Sequence, residues 1–370
     1  MHWSYDGTSF ISVHEDFGIR LFLLPPDILD RQDKIEKNNQ LVPFLRIYQN
    51  MPILSYSPNS LFSLYGLENE VRENNNILVS LRGVPLRLVD LSPKEEEEKE
   101  EKSSLISQYY FKDIMHDKFL DTTALNFLKN GKFLAGSTNN IALFDINRSI
   151  PIWHKIFKKT GIISCLEKSK SNSLIGDCIF FGSYIKNQIN ILDTRSRETV
   201  MKSNLFKQGN GIQQIIESNN GRFLYSIARS KDDIDILDLR MNLMKVGTLT
   251  NWKQSCLENK NQKKFVDILP NSQGIIAGSN NGEVKIWENS ELGIDCDCEV
   301  LFKINDNNKN LKFDPNISCV KVNPLTDVNI IGITNGERDP IDPLDSIDST
   351  ITEVGLSGIS LWETKYKKTL

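Results

Sequence analysis

One pattern of apolar and polar residues occurs seven times along the chain. Each copy begins with a turn, continues through an apolar run, passes a polar turn and finishes with alternating apolar residues, usually followed by an acid. In the clearest pair, Gly131 to Asp145 and Gly274 to Glu288, the turn glycine and the closing acid are 14 residues apart. The copies lie at 5–23, 76–90, 130–145, 181–193, 220–238, 272–288 and 323–363.

This alternation predicts β-hairpins, because apolar residues at every second position mark a strand with one buried face. Asn-Gly or Asn-Asn between two such runs marks a tight turn. A single hairpin cannot cover both of its faces, whereas four-stranded sheets stacked radially can. From position 90 onwards the closing acids are 45 to 75 residues apart, close to the roughly 40 to 45 of a WD-type blade with insertions. The sequence therefore predicts an all-β fold, a single seven-bladed WD-repeat β-propeller over residues 1–370, with six blades as the alternative count.

Polar segments interrupt the repeats. Residues 92–104 contain a block of glutamates and lysines and are predicted to be an acidic surface loop, since such a block cannot pack. The alternative is an acidic arm that binds a basic partner or competes with RNA. Residues 336–356 carry six acidic side chains and are predicted to be an insert in the last blade. Residues 27–40 are predicted to be a loop with a short helix, and residues 365–369 the strand that closes the ring.

Composition excludes several classes of protein. Hydrophobic residues make up 39% of the 370 residues and charged residues 25%, which is enough for a large core. No apolar stretch approaches the roughly 18 to 20 residues of a membrane helix. The N-terminus has no basic region followed by an apolar run, so we expect no secretory signal and an intracellular protein. The net charge of -4 argues against simple electrostatic coating of nucleic acid, although a local basic face is compatible with it.

Neither cofactor nor metal is predicted. The six cysteines have no secretory context and are expected to be reduced thiols, and Cys296 and Cys298 have no second pair at zinc-site spacing. Phosphate-binding loops, nucleophile elbows and paired zinc-protease histidines are all missing from the sequence. The closing acids are expected to cap turns. We therefore expect a protein that is not an enzyme and has no small-molecule substrate.

Several blade-specific segments resemble one WD-repeat family. They are WSYDG at 3–7, GIISC at 161–165, GSY at 182–184, ARSKD at 228–232 and DLR at 238–240. These are similar to segments of the family that contains the telomerase Cajal-body protein and its fungal relatives associated with pre-mRNA splicing. The chain departs from the family pattern at Ile227, where a small residue is expected, and at Leu237, where Trp is expected.

The resemblance implies a nuclear scaffold that helps a small nuclear ribonucleoprotein stay engaged with the 5′ splice site. Its partners would be components of that particle, including small nuclear RNA, and it would be a monomer within a larger complex, in the nucleus with the cytoplasm as a second location. One alternative is a binder of Cajal-body-type or telomerase RNAs through a hairpin-loop signal. The other is a WD-repeat hub with protein partners only.

Arg229 and Lys231 are the main candidates for contacting RNA or a partner, because they match the family's Ala-Arg-Lys-Asp positions with Ser230 inserted. The alternative is that Arg229, Asp232 and Asp233 only hold a hairpin turn. Guanidinium groups can pair with phosphate or stack on unpaired bases. The other candidate cations are Arg20, Arg82, Arg240, Lys263 and Lys264.

Three clusters combine cations with aromatic residues, an arrangement that can neutralise phosphate and stack bases. They are Lys155, Lys158 and Lys159 with Trp153 and Phe157; Lys263 and Lys264 beside Phe265; and Lys365, Lys367 and Lys368 around Tyr366. The alternative is that the aromatic residues belong to the core and the lysines are simply solvated.

Overall fold

The computed structural model describes residues 1–25, 41–65, 74–92, 104–113, 115–203, 211–252, 263–270, 274–304, 316–325, 330–336 and 358–363. Within them the chain forms 27 β-strands and two short 3-10 helices, Leu239–Met241 and Ser290–Leu292. The predictions for 27–40, 92–104, 336–356 and 365–369 fall outside the described residues, apart from the boundary positions 92, 104 and 336.

The first compact unit, Met1–Lys207, contains four antiparallel sheets of four strands. The first two consist of β1 (His2–Trp3), β2 (Ser9–Val13), β3 (Gly18–Leu23) and β4 (Leu45–Tyr48), then β5 (Ile53–Pro58), β6 (Asn76–Leu81), β7 (Leu86–Asp90) and β8 (Leu105–Tyr109). The next two consist of β9 (Ala124–Phe127), β10 (Lys132–Ser137), β11 (Asn140–Asp145) and β12 (Trp153–Ile156), then β13 (Ile163–Lys168), β14 (Cys178–Ser183), β15 (Ile189–Asp193) and β16 (Thr199–Lys202).

The second compact unit, Gln208–Leu370, contains three antiparallel sheets. The fifth and sixth sheets consist of β17 (Ile212–Glu217), β18 (Phe223–Ala228), β19 (Ile234–Asp238) and β20 (Met244–Leu249), then β21 (Asp267–Ile268), β22 (Ile275–Gly278), β23 (Glu283–Trp287) and β24 (Glu299–Lys303). The seventh has three described strands, β25 (Ile317–Val322), β26 (Ile330–Asn335) and β27 (Gly358–Glu363).

Seven successive meander sheets are the arrangement of a seven-bladed β-propeller, so the predicted fold class is confirmed and the six-blade count is wrong. Each repeat found in the sequence is the central hairpin of one sheet, formed by its second and third strands. In the third sheet, for example, Phe133 pairs with Phe144 and Gly136 with Ile141. In the six four-stranded sheets, the alternation therefore marks the hairpin whose two strands are both flanked by other strands.

Small residues at the end of the second strand allow neighbouring sheets to approach closely. A Cβ atom added to Gly136 on β10 would lie 2.8 Å from the Ile163 side chain on β13. A Cβ atom added to Gly278 on β22 would lie 2.5 Å from Cβ of Ile317 on β25. In both units the glycine faces the first strand of the following sheet, where a larger side chain would overlap it.

The closing acids cap turns, as the sequence predicts. The Oδ1 atom accepts a hydrogen bond of 2.8 to 2.9 Å from the backbone N–H two residues further on in four of the sheets. The acids are Asp90, Asp145, Asp193 and Asp238. These carboxylates satisfy backbone donors that follow the third strand. This local role accounts for their recurrence at strand ends.

Replacing Gly278 by Ala should destabilise the chain. The new methyl group would overlap Ile317, and overpacking of this kind typically costs about 1–3 kcal/mol. We expect urea denaturation to show a loss of that size in the free energy of unfolding. Gly358→Ala is the matched control, because the nearest atom to its Cβ position is Asn335 Oδ1 at 3.4 Å. Equal losses in both variants would contradict close packing at Gly278.

Replacing Asp238 by Asn should reveal a pH-dependent contribution to stability. Hydrogen bonds from Arg240 lower the pKa of Asp238, so its charge stabilises the fold above the ordinary carboxyl range and this stabilisation is lost as the pH falls through the lowered value. We expect Asp238→Asn to reduce the free energy of unfolding by about 0.5–1 kcal/mol at pH 7, since Arg240 is exposed. The difference should shrink towards zero in strong acid.

Asp145→Asn is the matched control for this measurement. Asp145 caps its own turn, and it has no ion pair with a described residue. The asparagine keeps the acceptor for the turn in both variants. A pH-independent difference between wild type and Asp238→Asn would contradict the assignment of the effect to the Arg240 pair.

Candidate partner-binding site

The turn between β18 and β19 carries Arg229 and Lys231, the main candidates from the sequence. The Arg229 N–H donates to the Gly211 carbonyl at 3.0 Å. From the other side, the Trp252 N–H donates to the Asp232 carbonyl at 3.2 Å. The backbone of the turn is therefore held both by the residue before β17 and by the segment after β20.

Lys231 is buried beneath this turn. Its side chain is 6% exposed and forms an ion pair with Asp235 on β19, which is 1% exposed. Lys245 on β20 approaches the other carboxylate oxygen of Asp235 at 2.7 Å. Lys231 is therefore placed to hold the turn against β19, and the Asp235 carboxylate offsets its charge.

A cleft of about 310 Å³ opens beside the ion pair. One wall is β20, and the other is the segment 295–297, which follows β23 and runs parallel to the end of β20. The Cys296 N–H donates to the Thr248 carbonyl, and the Thr250 N–H donates to the Cys296 carbonyl, both at 3.0 Å. The fifth and sixth sheets thus form the cleft together. Its lining residues are Lys231, Asp233, Lys245, Thr248, Thr250, Asp295, Cys296 and Asp297.

Acidic side chains outnumber the cations in this cleft. Asp233, Asp295 and Asp297 line it, whereas both of its lysines already pair with the buried Asp235. Asp297 also accepts a hydrogen bond of 3.1 Å from the Asn251 side chain. Opposite charges favour association, so the electrostatics of the cleft suit a cationic group better than a phosphate.

Two tryptophans fix residues 250–252, the segment that borders the cleft. The Trp252 indole N–H donates to the Gly278 carbonyl at 2.9 Å, and the Trp287 indole N–H donates to the Thr250 carbonyl at 2.9 Å. The fully buried Lys285 ammonium donates to the Asn251 carbonyl at 2.8 Å. No local sequence signal predicts this support, because the bonded partners are 26 to 37 residues apart.

Cys296 and Cys298 lie beside residues 250–252, and both of their thiols form hydrogen bonds. Burial raises the pKa of both, and neighbouring carboxylates raise that of Cys296 further. The two thiols donate to different acceptors, the carbonyls of Glu288 and Asn251, both at 3.4 Å.

Among the residues the structure describes, no group of three or more His, Cys, Asp or Glu is placed to hold a metal ion. The described part of the chain also has no helix long and apolar enough to cross a membrane.

The two candidates in the first unit have different surroundings. Arg20 on β3 forms an ion pair with Asp16, and its guanidinium carbon lies 5.9 Å from the centre of the Tyr48 ring. Arg82 is exposed in the turn between β6 and β7. Of these two, Arg82 is the one whose charge has no ion-pair partner among the described residues.

Arg240 lies at the opposite end of β19 from Lys231. Its guanidinium forms a two-point contact with Asp238, at 3.0 and 2.6 Å, and lies 5.9 Å from the centre of the Phe223 ring. The carboxylate and the aromatic ring position this exposed side chain. Arg240 is therefore separated from the turn that carries the two main candidates.

Lys263 and Lys264 lie near the same end of the fifth and sixth sheets as Arg229. The link is Gln213 on β17, whose side-chain amide donates to the Lys264 carbonyl at 3.0 Å. Gln213 lies two residues after Gly211, whose carbonyl accepts the hydrogen bond from Arg229. Lys263 is exposed. Lys264 is 5% exposed, and its ammonium donates to Oδ1 of Asn316 at 2.7 Å. The structure thus places Arg229 and Lys263 at the same end of neighbouring sheets, whereas Lys264 is a support between the sheets.

Proteins from several yeasts align with most of this chain. The Kluyveromyces lactis protein SWT21 is 30% identical over 353 residues, which cover 90% of this chain and 79% of the relative. This chain belongs to the SWT21 family. The Saccharomyces cerevisiae SWT21 is 28% identical over 294 residues, covering 77% of this chain and 78% of the relative. The Candida glabrata SWT21 is 33% identical over 253 residues, covering 65% of this chain and 56% of the relative.

Membership of the SWT21 family and the β-propeller fold fit the non-enzymatic WD-repeat protein that the sequence predicts. No family model matches the chain. The chain spans just over half the length of the Candida glabrata SWT21. The link to the telomerase Cajal-body protein stays a prediction, based on short segments.

Replacing Asp235 by Asn tests the ion pair beneath the cleft. Removing one partner of a buried pair leaves the other charge uncompensated, which typically costs about 3–5 kcal/mol. We expect the free energy of unfolding at pH 7 to fall by about 3 kcal/mol, measured by urea denaturation. Asp233→Asn removes a partly exposed carboxylate of the same cleft and should cost less than about 0.5 kcal/mol. Similar losses in both variants would show that Asp235 does not stabilise the turn.

Proposed function

We propose that this chain is a non-enzymatic WD-repeat scaffold in pre-mRNA splicing. It helps a small nuclear ribonucleoprotein stay engaged with the 5′ splice site, as a monomer within that larger complex. It acts in the nucleus, with the cytoplasm as a second location. Membership of the SWT21 family supports this proposal, together with the resemblance of the blade-specific segments to the fungal, splicing-associated branch.

The position of those segments in the fold is the observation that carries the proposal. ARSKD at 228–232 forms the turn between β18 and β19, GSY at 182–184 ends β14, and DLR at 238–240 begins the turn after β19. The resemblance thus falls on strand ends and turns as well as on the core. Residues on turns that a rigid sheet holds in place are those that partners commonly contact.

Purification of the tagged chain from nuclear extract tests the proposal. We expect the wild-type chain to recover small nuclear RNA and proteins of the particle that reads the 5′ splice site. Arg229→Ala combined with Lys263→Ala should reduce the recovery several-fold, because both side chains lie at the same end of their sheets. Arg240→Ala is the control, since it removes an exposed arginine from the opposite end of β19.

The same purification discriminates the alternative functions. Recovery of guide RNAs or telomerase RNA with a shared hairpin loop would favour the Cajal-body-type binder instead. Protein partners that persist after ribonuclease treatment, without any spliceosomal component, would favour a protein-only hub. Loss of the gene should also raise the unspliced fraction of transcripts with weak 5′ splice sites, and unchanged splicing would contradict the proposal.

A further inference from the structure

Two segments of the first unit meet at one end of the third and fourth sheets. The first is the connection 157–162 between β12 and β13, and the second is the turn 184–188 between β14 and β15. The Tyr184 N–H donates to the Ile162 carbonyl at 3.0 Å. A Cβ atom added to Gly161 would lie 3.0 Å from the Ile185 side chain, and Ile185 is itself 73% exposed. The two segments therefore form one continuous surface.

The connection 157–162 has a fixed conformation. The Asn139 side chain, in the turn between β10 and β11, accepts from the N–H groups of Thr160 and Gly161 at 2.8 and 2.7 Å. The Phe157 N–H donates to the Asn139 carbonyl at 2.8 Å, and the Phe157 ring packs on Phe181 with centres 5.1 Å apart. With both ends of the connection held, the residues between Phe157 and Thr160 are presented to solvent from a rigid base.

Four exposed lysines lie on or beside this surface: Lys158, Lys159, Lys186 and Lys202. Lys202 is the last residue of β16. The residue after it, Ser203, lies beside the turn 184–188, because its carbonyl accepts a hydrogen bond of 2.7 Å from the Gln188 side chain. None of the four has an ion pair with a described residue, whereas nearby Lys155 pairs with Glu198 at 2.6 Å. Segments 157–162, 184–190 and 200–203 contain no Asp or Glu. We call these four lysines and Tyr184 the lysine rim.

The net negative charge of the chain comes from segments other than this surface. Segments 93–103 and 337–357 together contain twelve acidic and four basic side chains. Because the whole chain has a net charge of -4, the remaining residues carry a net charge of +4. The lysine rim is therefore a local concentration of positive charge on a chain whose acids are concentrated elsewhere.

The chemistry of the lysine rim fits a single-stranded nucleic acid. Ammonium groups without ion-pair partners can neutralise successive phosphates, and a partly exposed aromatic ring such as Tyr184 offers a stacking surface for a base. In the fifth sheet, by contrast, the Lys231 charge is already offset by Asp235 and that of Arg240 by Asp238. Among the described residues, Lys158, Lys159, Lys186 and Lys202 differ from Lys231 and Arg240 in having no carboxylate partner.

We propose that the lysine rim binds single-stranded RNA through its phosphates, with Tyr184 stacking on a base. The identity of the nucleic acid as RNA rests on the proposed function, which places the chain with a ribonucleoprotein. The rim consists of other residues than the positions 229–231 that the sequence highlights.

Charge reversal tests the rim with purified full-length protein and a fluorescein-labelled oligouridylate of about 12 nucleotides. Fluorescence anisotropy across a salt series should show binding that weakens as salt rises. Lys158→Glu, Lys159→Glu and Lys186→Glu together should reduce affinity about tenfold or more, and should lower the slope of log affinity against log salt by about 2, for three lost contacts. Loss of affinity without a change of slope would contradict phosphate contacts.

Lys129→Glu, Lys132→Glu and Arg148→Glu form the matched control. These three exposed cations lie at the opposite end of the third sheet and change the net charge by the same amount. The control should keep wild-type affinity, with both variants checked for folding by thermal denaturation. Equal losses in test and control would overturn the proposal, because the effect would then come from net charge alone.

Tyr184→Ala and Tyr184→Phe test the stacking. The alanine variant should bind severalfold more weakly with an unchanged salt slope, and the phenylalanine variant should bind like wild type. Equal loss in both variants would overturn the stacking role.

The rim and the proposed function can fail independently. If wild type recovers the ribonucleoprotein from extract but does not bind the oligonucleotide at low salt, the rim proposal is overturned and the splicing proposal stands. If the purified chain binds the oligonucleotide but recovers no spliceosomal component, the reverse holds. Ribonuclease-resistant recovery that the rim variant abolishes, without RNA binding by wild type, would identify a protein interface and overturn the rim.

Discussion

Burial of apolar side chains between successive sheets is the interaction on which each unit depends. In the third sheet the rings of Phe133 and Phe144 stack with centres 4.9 Å apart, and Tyr109 from the second sheet packs on Phe133 at 4.8 Å. Apolar area removed from water contributes about 25 cal/mol per Å², so a sheet with two apolar faces is stable only when both are covered. The repeat in the sequence exists because each sheet must cover its predecessor and be covered by its successor.

Hydrogen bonds between first strands fix the spacing that this packing requires. The Asn126 side chain on β9 donates to the Leu166 carbonyl on β13 at 3.1 Å. The Gln214 side chain on β17 both donates to and accepts from the backbone of Val266, at 3.1 and 2.9 Å. Polar side chains thus bond laterally to main chain in the next sheet. With the first strands held in this way, the turns between second and third strands are presented from a rigid base.

How far the sequence predicts the structure depends on the range of each interaction. The central hairpins are predictable because alternation and turn residues are local. The edge strands β1 and β4 are harder to predict, because they have only two and four residues and none of these residues is fully buried. The burial of Lys264 depends on Asn316, 52 residues away, and the cleft depends on residues 295–297 joining β20 from the next sheet. Such contacts leave no local signal in the sequence.

Lysines have opposite roles at different places in the fold, and the count of basic residues does not distinguish them. In the second unit Lys231, Lys264 and Lys285 are at most 6% exposed, and each is bonded to a fixed oxygen. Burying these charges is tolerable only because those oxygens compensate for the lost hydration. A lysine bonded in this way supports the fold, and its ammonium group is not accessible to a ligand. Lys158 and Lys186 remain hydrated on a surface without acids, so their charge acts on molecules in solution. Burial and pairing, which the fold decides, therefore determine which cations can contact a phosphate.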